Sequence, residues 1–421
     1  MKLKSSMRIR TLLVGAVLIM SSVASYAQSY NELSGQTLNP NVITTAVPFV
    51  SIAPDARGGA LGDCGVSSEA DVYSMHYNPA KYTFLEDDMS FGLGYSPWLH
   101  RLVPDMHLAY LAFAMKLNPE SAIGATLRYF SCGDITFRDE NGNDQGTYKP
   151  NEWAIDVTYS RMLTDYLSGA VAGRFIYSNL TQGVTEGSTA GWSVAADVGV
   201  YYKRPVEWFR DMDADFAWGI NVSNLGSKVS YRNTSVKKDF IPTTLRFGPS
   251  LTLELDEYNK LAFMVDVTKL LVPTPPLYKR DSITHQYVYD ENHELVIEEG
   301  MSDDVSVMMG VFHSFYDAPG FSYNENGEKV GLGKAYEELC EYNVSLGVEY
   351  WYNNVFGIRA GYFNEAALKG NRKYVTLGAA LKYNVFGLDV SYLVPVNGTY
   401  GTNPLESTLR FNLTYNMGKR N

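Results

Sequence analysis

The sequence predicts an all-β membrane protein, a 14-stranded antiparallel outer-membrane β-barrel with an N-terminal plug (hatch) and short helical segments. Three observations carry this. An export leader opens the chain. Period-2 alternation of apolar and polar residues recurs in segments of about 9–12 residues, the length a tilted membrane strand needs. The polar faces of those segments hold charges of both signs, which suit a wet or internally paired lumen and not the space between two packed sheets. The low mean hydropathy of -0.17 agrees with such a barrel, because lipid-facing and lumen-facing residues cancel.

The leader spans residues 1–27. Lys2, Lys4, Arg8 and Arg10 form its positive region, Thr11 to Met20 its apolar core, and Ser25-Tyr26-Ala27 its small-residue cleavage site. The apolar run is about half the roughly 20 residues of a spanning helix. Removing the four basic residues takes the net charge from -11 to -15, so a nucleic-acid-binding surface is not expected. Cys64, Cys132 and Cys340 are expected to be structural. Neither they nor the six histidines show zinc-ligand spacing. No metal or cofactor site is expected.

Residues 28–88 precede the first alternating segment and are too irregular for wall. They are expected to fill the barrel as a plug, with Ser67 or Ser68 capping a short helix that runs through Met75 and is ended by Pro79. The barrel is assigned to residues 89–421. Wall strands are expected near 89–96, 107–117, 121–131, 151–161, 166–177, 191–203, 214–223, 243–255, 260–268, 341–352, 355–363, 373–383, 386–393 and 407–417. A fifteenth apolar segment, 304–313, lacks strict alternation. An even strand number and short turns at Asn118-Pro119, Thr164-Asp165, Asp256 to Asn259, Asn353-Asn354 and Asn384-Val385 exclude it from the wall. It then falls within a large outer excursion, about residues 270–341. Tyrosines end many apolar faces (Tyr95, Tyr129, Tyr159, Tyr177, Tyr202, Tyr350, Tyr362, Tyr383, Tyr415), as in an interfacial girdle. The inward charges are Arg128, Asp156, Arg174, Asp197, Arg246, Asp266, Glu349, Arg359, Asp389 and Arg410.

Candidate site residues fall in two groups. The plug motif comprises Pro54, Asp55, Arg57, Gly58, Gly59, Asn78, Pro79 and Ala80, with Asp55 and Arg57 expected to pair with lumen charges such as Arg410 or Glu349. Trp98, Leu99 and Leu102 in the first outer loop, and Phe315, Tyr316 and Pro319 in the excursion, are candidate partner contacts. Trp98, Leu99 and Leu102 are equally compatible with dipping into lipid or capping the barrel. The acidic residues between Asp281 and Asp304 match no EF-hand and are expected to be solvated. His313-Ser314 is adjacent in sequence without the context of a nucleophile–base pair, and no enzyme is expected.

Asn78-Pro79-Ala80 resembles the element before the first strand of FadL-type outer-membrane barrels. Longer segments sharpen the likeness: Ser51-Ile52-Ala53-Pro54-Asp55-Ala56-Arg57-Gly58-Gly59, Tyr95-Ser96-Pro97-Trp98-Leu99, Leu102-Val103-Pro104-Asp105, Ser314-Phe315-Tyr316-Asp317-Ala318-Pro319-Gly320 and Lys369-Gly370-Asn371-Arg372-Lys373-Tyr374. Together they resemble the FadL-related PorV (LptO) family of the type IX secretion system. The resemblance implies an outer-membrane barrel with both termini in the periplasm. It implies a role in which secreted cargo is bound through its C-terminal signal domain at a SprA (Sov) translocon. The cargo is then carried to a surface attachment complex holding a PorU-like sortase, which links many cargoes to lipopolysaccharide. The alternatives are a FadL-like transporter of hydrophobic small molecules and a lipopolysaccharide deacylase.

Overall fold

The computed structural model describes residues 39–419, except 100–102, 104, 139–141, 181–186, 210–211, 233–237, 282–285, 292, 324–328 and 397–407. The leader and Leu102 lie outside the described residues. Fourteen antiparallel strands close into one barrel: β1 (Asp87–Pro97), β2 (Met106–Asn118), β3 (Ser121–Cys132), β4 (Asn151–Met162), β5 (Leu167–Asn179), β6 (Gly191–Val206), β7 (Asp213–Gly226), β8 (Thr244–Glu254), β9 (Asn259–Leu270), β10 (Tyr342–Tyr352), β11 (Phe356–Asn364), β12 (Lys373–Tyr383), β13 (Phe386–Pro395) and β14 (Leu409–Lys419). The seam pairs β1 with β14, Phe91 opposite Tyr415 and Leu93 opposite Leu413. No helix among the described residues is long and apolar enough to cross a membrane.

Alternation produces this wall directly. In β4, Glu152, Ala154, Asp156, Thr158 and Ser160 face the lumen and are buried, while Ile155, Val157 and Tyr159 face outward and are exposed. The outward faces end in aromatic ladders. Tyr95, His107 and Tyr129 adjoin on β1 to β3 at one rim, and Tyr166, Tyr202 and Trp218 adjoin at the other. Tyr362 departs from the girdle pattern: it is buried, flanked in register by Leu346 and Val375.

Short turns join the strands at one end. Asn353, Asn354 and Asn384 take positive φ there (53°, 51° and 55°), a conformation asparagine tolerates in two-residue hairpins. Longer connections occupy the other end. The longest leaves β9 and returns at β10. Residues 304–313 contribute no wall strand. They hold helix α2 (Val307–His313), capped by Ser306; α1 (Ala56–Ala60) lies in the plug, and α3 (Lys334–Cys340) closes the excursion.

The lipid-facing assignment is testable at Val157, which is 59% exposed near the middle of β4. Val157→Arg is expected to destabilise the folded barrel by about 2–4 kcal/mol, measured by denaturant unfolding in liposomes.

Candidate functional site

The plug is held by backbone groups that side chains of the wall satisfy. Asn78 is its central pin. Its Nδ2 donates to the Val66 carbonyl (3.2 Å) and to that of Val200 in β6 (2.9 Å), and its Oδ1 accepts from Ala80 N–H (3.1 Å). The pin fits because Gly199 and Gly219 face it: a Cβ at Gly199 would lie 2.4 Å from Asn78 Oδ1. The helix expected from Ser67 to Met75 is instead a short 3₁₀ turn, Ser74–His76, and Pro79 does not end a helix. Pro79 opens a second turn, Pro79–Phe84, because Asn78 caps it and proline needs no donor at a first helical position. The carbonyls of Pro79 and Ala80 accept from Ser160 and Ser168, each at 2.7 Å.

Arg57, on α1, joins plug to wall. It donates to Glu349 through Nη2 (2.7 Å) and Nε (3.0 Å), and to Asp71 through Nη1 (2.9 Å). Arg359 in turn donates to Glu349 (2.6 Å) and Asp389 (2.5 Å). The expected pairing of Arg57 with Glu349 is therefore present. That of Asp55 with Arg410 is not. Asp55 turns both oxygens inward, accepting from Gly58 N–H (2.7 Å) and the Tyr77 hydroxyl (2.9 Å). Arg410 packs over Gly59, where a Cβ would come within 2.4 Å of it, and lies 3.8 Å from Asp63. Burial, reinforced by nearby Asp71, raises the Asp55 carboxyl to about 6. Pro54 packs its carbonyl against Gly94 of β1.

Above α1, the stretch Pro48–Ser51 ends over a buried cation. Arg128 Nη1 donates to the carbonyls of Phe49 (3.3 Å) and Val50 (2.5 Å), and Nη2 lies 3.2 Å from His76 Nδ1. Burial and the surrounding arginines hold His76 far below its ordinary value, so the imidazole is neutral and accepts this contact. A cavity of about 1010 Å³ lies beside this segment. Apolar Val42, Ile43, Phe49 and Phe363 contribute walls; Asp63, Glu152, Arg246 and Arg410 also line it.

The plug enters from the long-connection end. Asn39 N–H donates to Tyr323, Asn41 N–H to Leu368 and Ala46 N–H to Phe240, all in long connections. Lower down, Lys260 engages Glu69 near the short-turn end, before the chain rises again to Asn78. Asn39 therefore lies at the end opposite Lys419. The N-terminus expected in the periplasm lies outside the described residues. The entry side is set by the hydrogen bonds of residues 39–46, which carry no charge pattern to reveal it.

The outer candidates separate by burial. Trp98 packs on the apolar lumen cluster around Phe49 and Phe130, and Leu99 lines the cavity. Pro319 is buried with Asp317 and Ala318. Phe315 and Tyr316 are exposed, at 44% and 55%. They continue a ridge that sequence reasoning missed: Met308, Met309 and Phe312 of α2, all exposed. Their spacing, 308, 309, 312, 315, 316, was an available helical signal. Ser314 is buried and donates to the Val311 carbonyl (2.8 Å), not to His313. Cys64, Cys132 and Cys340 are free thiols.

A family model described as Type IX secretion system protein PorV matches residues 35–277. No curated protein matches the sequence. Among solved structures, the Pseudomonas putida toluene transporter TodX is 13% identical, with 90% of this chain and 98% of that chain covered and a TM-score of 0.43. A Pseudomonas aeruginosa FadL homologue is 9% identical, with 90% and 99% covered and a TM-score of 0.39. LpxR from Salmonella typhimurium is 8% identical, with 78% and 100% covered and a TM-score of 0.31.

The Arg57 bridge gives a direct test of the plug. Arg57→Ala is expected to destabilise the folded protein by roughly 2–4 kcal/mol, since Glu349 loses one of two cationic partners in a buried setting. Folding yield and heat stability equal to the parent chain would show that Arg57 does not pin the plug.

Proposed function

Because the chain belongs to the PorV family of type IX secretion system proteins, we propose that this outer-membrane barrel is a cargo carrier. It receives secreted proteins at a SprA-like translocon by binding their C-terminal signal domain, and delivers them to a PorU-like sortase complex. In this reading the long connections face outward, and the short turns and C-terminus face the periplasm. The carrier binds and releases folded cargo without covalent chemistry of its own, and nucleic acid has no part in it.

The observation that carries the proposal is the apolar ridge Met308, Met309, Phe312, Phe315 and Tyr316, exposed on the longest connection. Clustered exposed aromatic and methionine side chains are the usual anchors of protein contacts. The lumen beneath supports the same reading. Plug residues and paired charges occupy it around Asn78, Arg57 and Arg359, which suits a scaffold better than a passage.

A second reading, transport of hydrophobic small molecules, has the 1010 Å³ cavity in its favour. Its lining is a weaker fit, since Asp63, Glu152, Arg246 and Arg410 share it with the apolar residues. The deacylase reading finds no support at Ser314, whose hydroxyl is engaged by Val311.

Purified barrel should capture isolated C-terminal signal domains, and a Phe312→Ala, Phe315→Ala, Tyr316→Ala variant should bind them at least about tenfold more weakly, as expected when interface anchors are truncated. If no signal domain is captured by the parent barrel, the carrier proposal fails.

A further inference from the structure

We propose that the root of the long excursion is a proton-operated latch, in which Asp317 carries the proton that holds α3 and the 314–320 loop against the barrel rim. The latch is a property of the fold and stands whether or not the ridge beside it binds cargo.

Six elements meet at this point. From β9 comes Lys269, fully buried, donating to Glu341 (2.5 Å) and lying 3.5 Å from Glu338. From the segment after β9 comes Thr274, whose hydroxyl donates to Glu341 (2.6 Å) and whose N–H donates to Asp317 Oδ2 (3.1 Å). From the 314–320 loop come Asp317 itself and the N–H groups of Ala318 and Gly320, which donate to Glu338 and Glu337 (2.8 and 2.7 Å). From α3 and its end come Glu337, Glu338 and Glu341, with the Cys340 thiol among them. From the β11–β12 connection comes Lys369, 2.8 Å from Glu337 and 3.1 Å from Glu341; Glu365 on that connection is taken by Arg372 at 2.7 Å. From the plug comes Asn41, which donates to Glu337 (3.2 Å). His313 lies four residues before Asp317, and Lys334 backs onto Gly320.

The charges do not balance. Among the described residues, Asp317, Glu337, Glu338 and Glu341 face only Lys269 and Lys369. Fully ionised, the cluster would hold two uncompensated negative charges in a buried site. The lysines engage the three glutamates, and among the described residues no cation reaches Asp317. It is 1% exposed, and its Oδ1 has no hydrogen-bond partner. A neutral carboxyl removes one of those two charges and makes the unpartnered oxygen less costly to bury, since a neutral polar group is desolvated more cheaply than a charged one.

Burial, with Glu341 and Glu338 adding to it, raises Asp317 to about 7. A carboxyl that binds its proton more tightly in the closed state stabilises that state most at low pH. The stabilisation declines as pH rises from the ordinary carboxylate range and is gone once pH passes about 7. For one proton, the opening constant changes about tenfold per pH unit within that window and is flat above it.

The test is hydrogen–deuterium exchange by mass spectrometry on the full-length protein in detergent micelles. Protection factors of amides in 271–281 and 305–323, corrected for intrinsic exchange, are followed from pH 5 to 8. The parent chain should lose protection about tenfold per unit up to about pH 7 and then level off, with the wall strands unaffected. Asp317→Asn, which cannot ionise, should show flat protection across the range. Glu338→Gln, which removes a neighbouring negative charge, should level off at lower pH; it carries the test alone if Asp317→Asn does not fold. Flat protection in the parent chain, an unchanged slope in Asp317→Asn, or an unshifted plateau in Glu338→Gln would each overturn the latch.

Discussion

A fourteen-stranded barrel must do something with its inward row of side chains, and in this protein that row is charged. Arg57, offered by the plug, meets Glu349; Glu349 meets Arg359; Arg359 meets Asp389. On the opposite wall Arg174 is held between Asp156 and Asp197 and also engages Asn224. Each inward charge needs a partner at hydrogen-bonding distance, because a lone ion in the interior is far costlier than a paired one. The plug is thus more than a stopper. It brings the cation that Glu349 shares, and its backbone N–H groups at Gly65 and Val66 both donate to Asp266 Oδ2. Wall and plug are each incompletely satisfied without the other.

This dependence explains why glycine is concentrated where the two meet. Gly58 and Gly65 both abut the Tyr77 ring, and Gly62 lies against the backbone of Tyr362. The contacts are backbone to ring or backbone to backbone, so added side-chain volume has nowhere to go. The Asn78 pin works the same way from the other side, with the room supplied by glycines of the wall.

Much of the barrel was legible in the sequence. Period-2 alternation located the strands to within a few residues, since a lipid face and a lumen face impose opposite polarity on neighbouring residues. Parity and turn chemistry identified 304–313 as the segment that does not belong to the wall. The plug was harder to read. Its turns are set by long-range partners: Pro79 begins a turn because Asn78 is anchored to Val200, and Asp55 gives its hydrogen bonds to Tyr77 and Gly58 while Arg410 acts on it from a distance. The partner surface was half visible. Phe315 and Tyr316 stood out, but Met308, Met309 and Phe312 were hidden in a run whose helical spacing is brief, and Pro319 looked accessible only because burial by the surrounding loop leaves no mark on local sequence.

The threaded course of residues 39–86 bears on the order of assembly. The chain passes the ceiling of long connections, descends the lumen and then turns directly into β1, while the strand that seals β1 is the last of the wall. A barrel already zipped at the β1–β14 seam would have to swallow this segment lengthwise. Wrapping would avoid that, with the sheet curling around a chain already lying along its inner face. The β1–β14 seam would then close over the thread as a hoop closes on a rod.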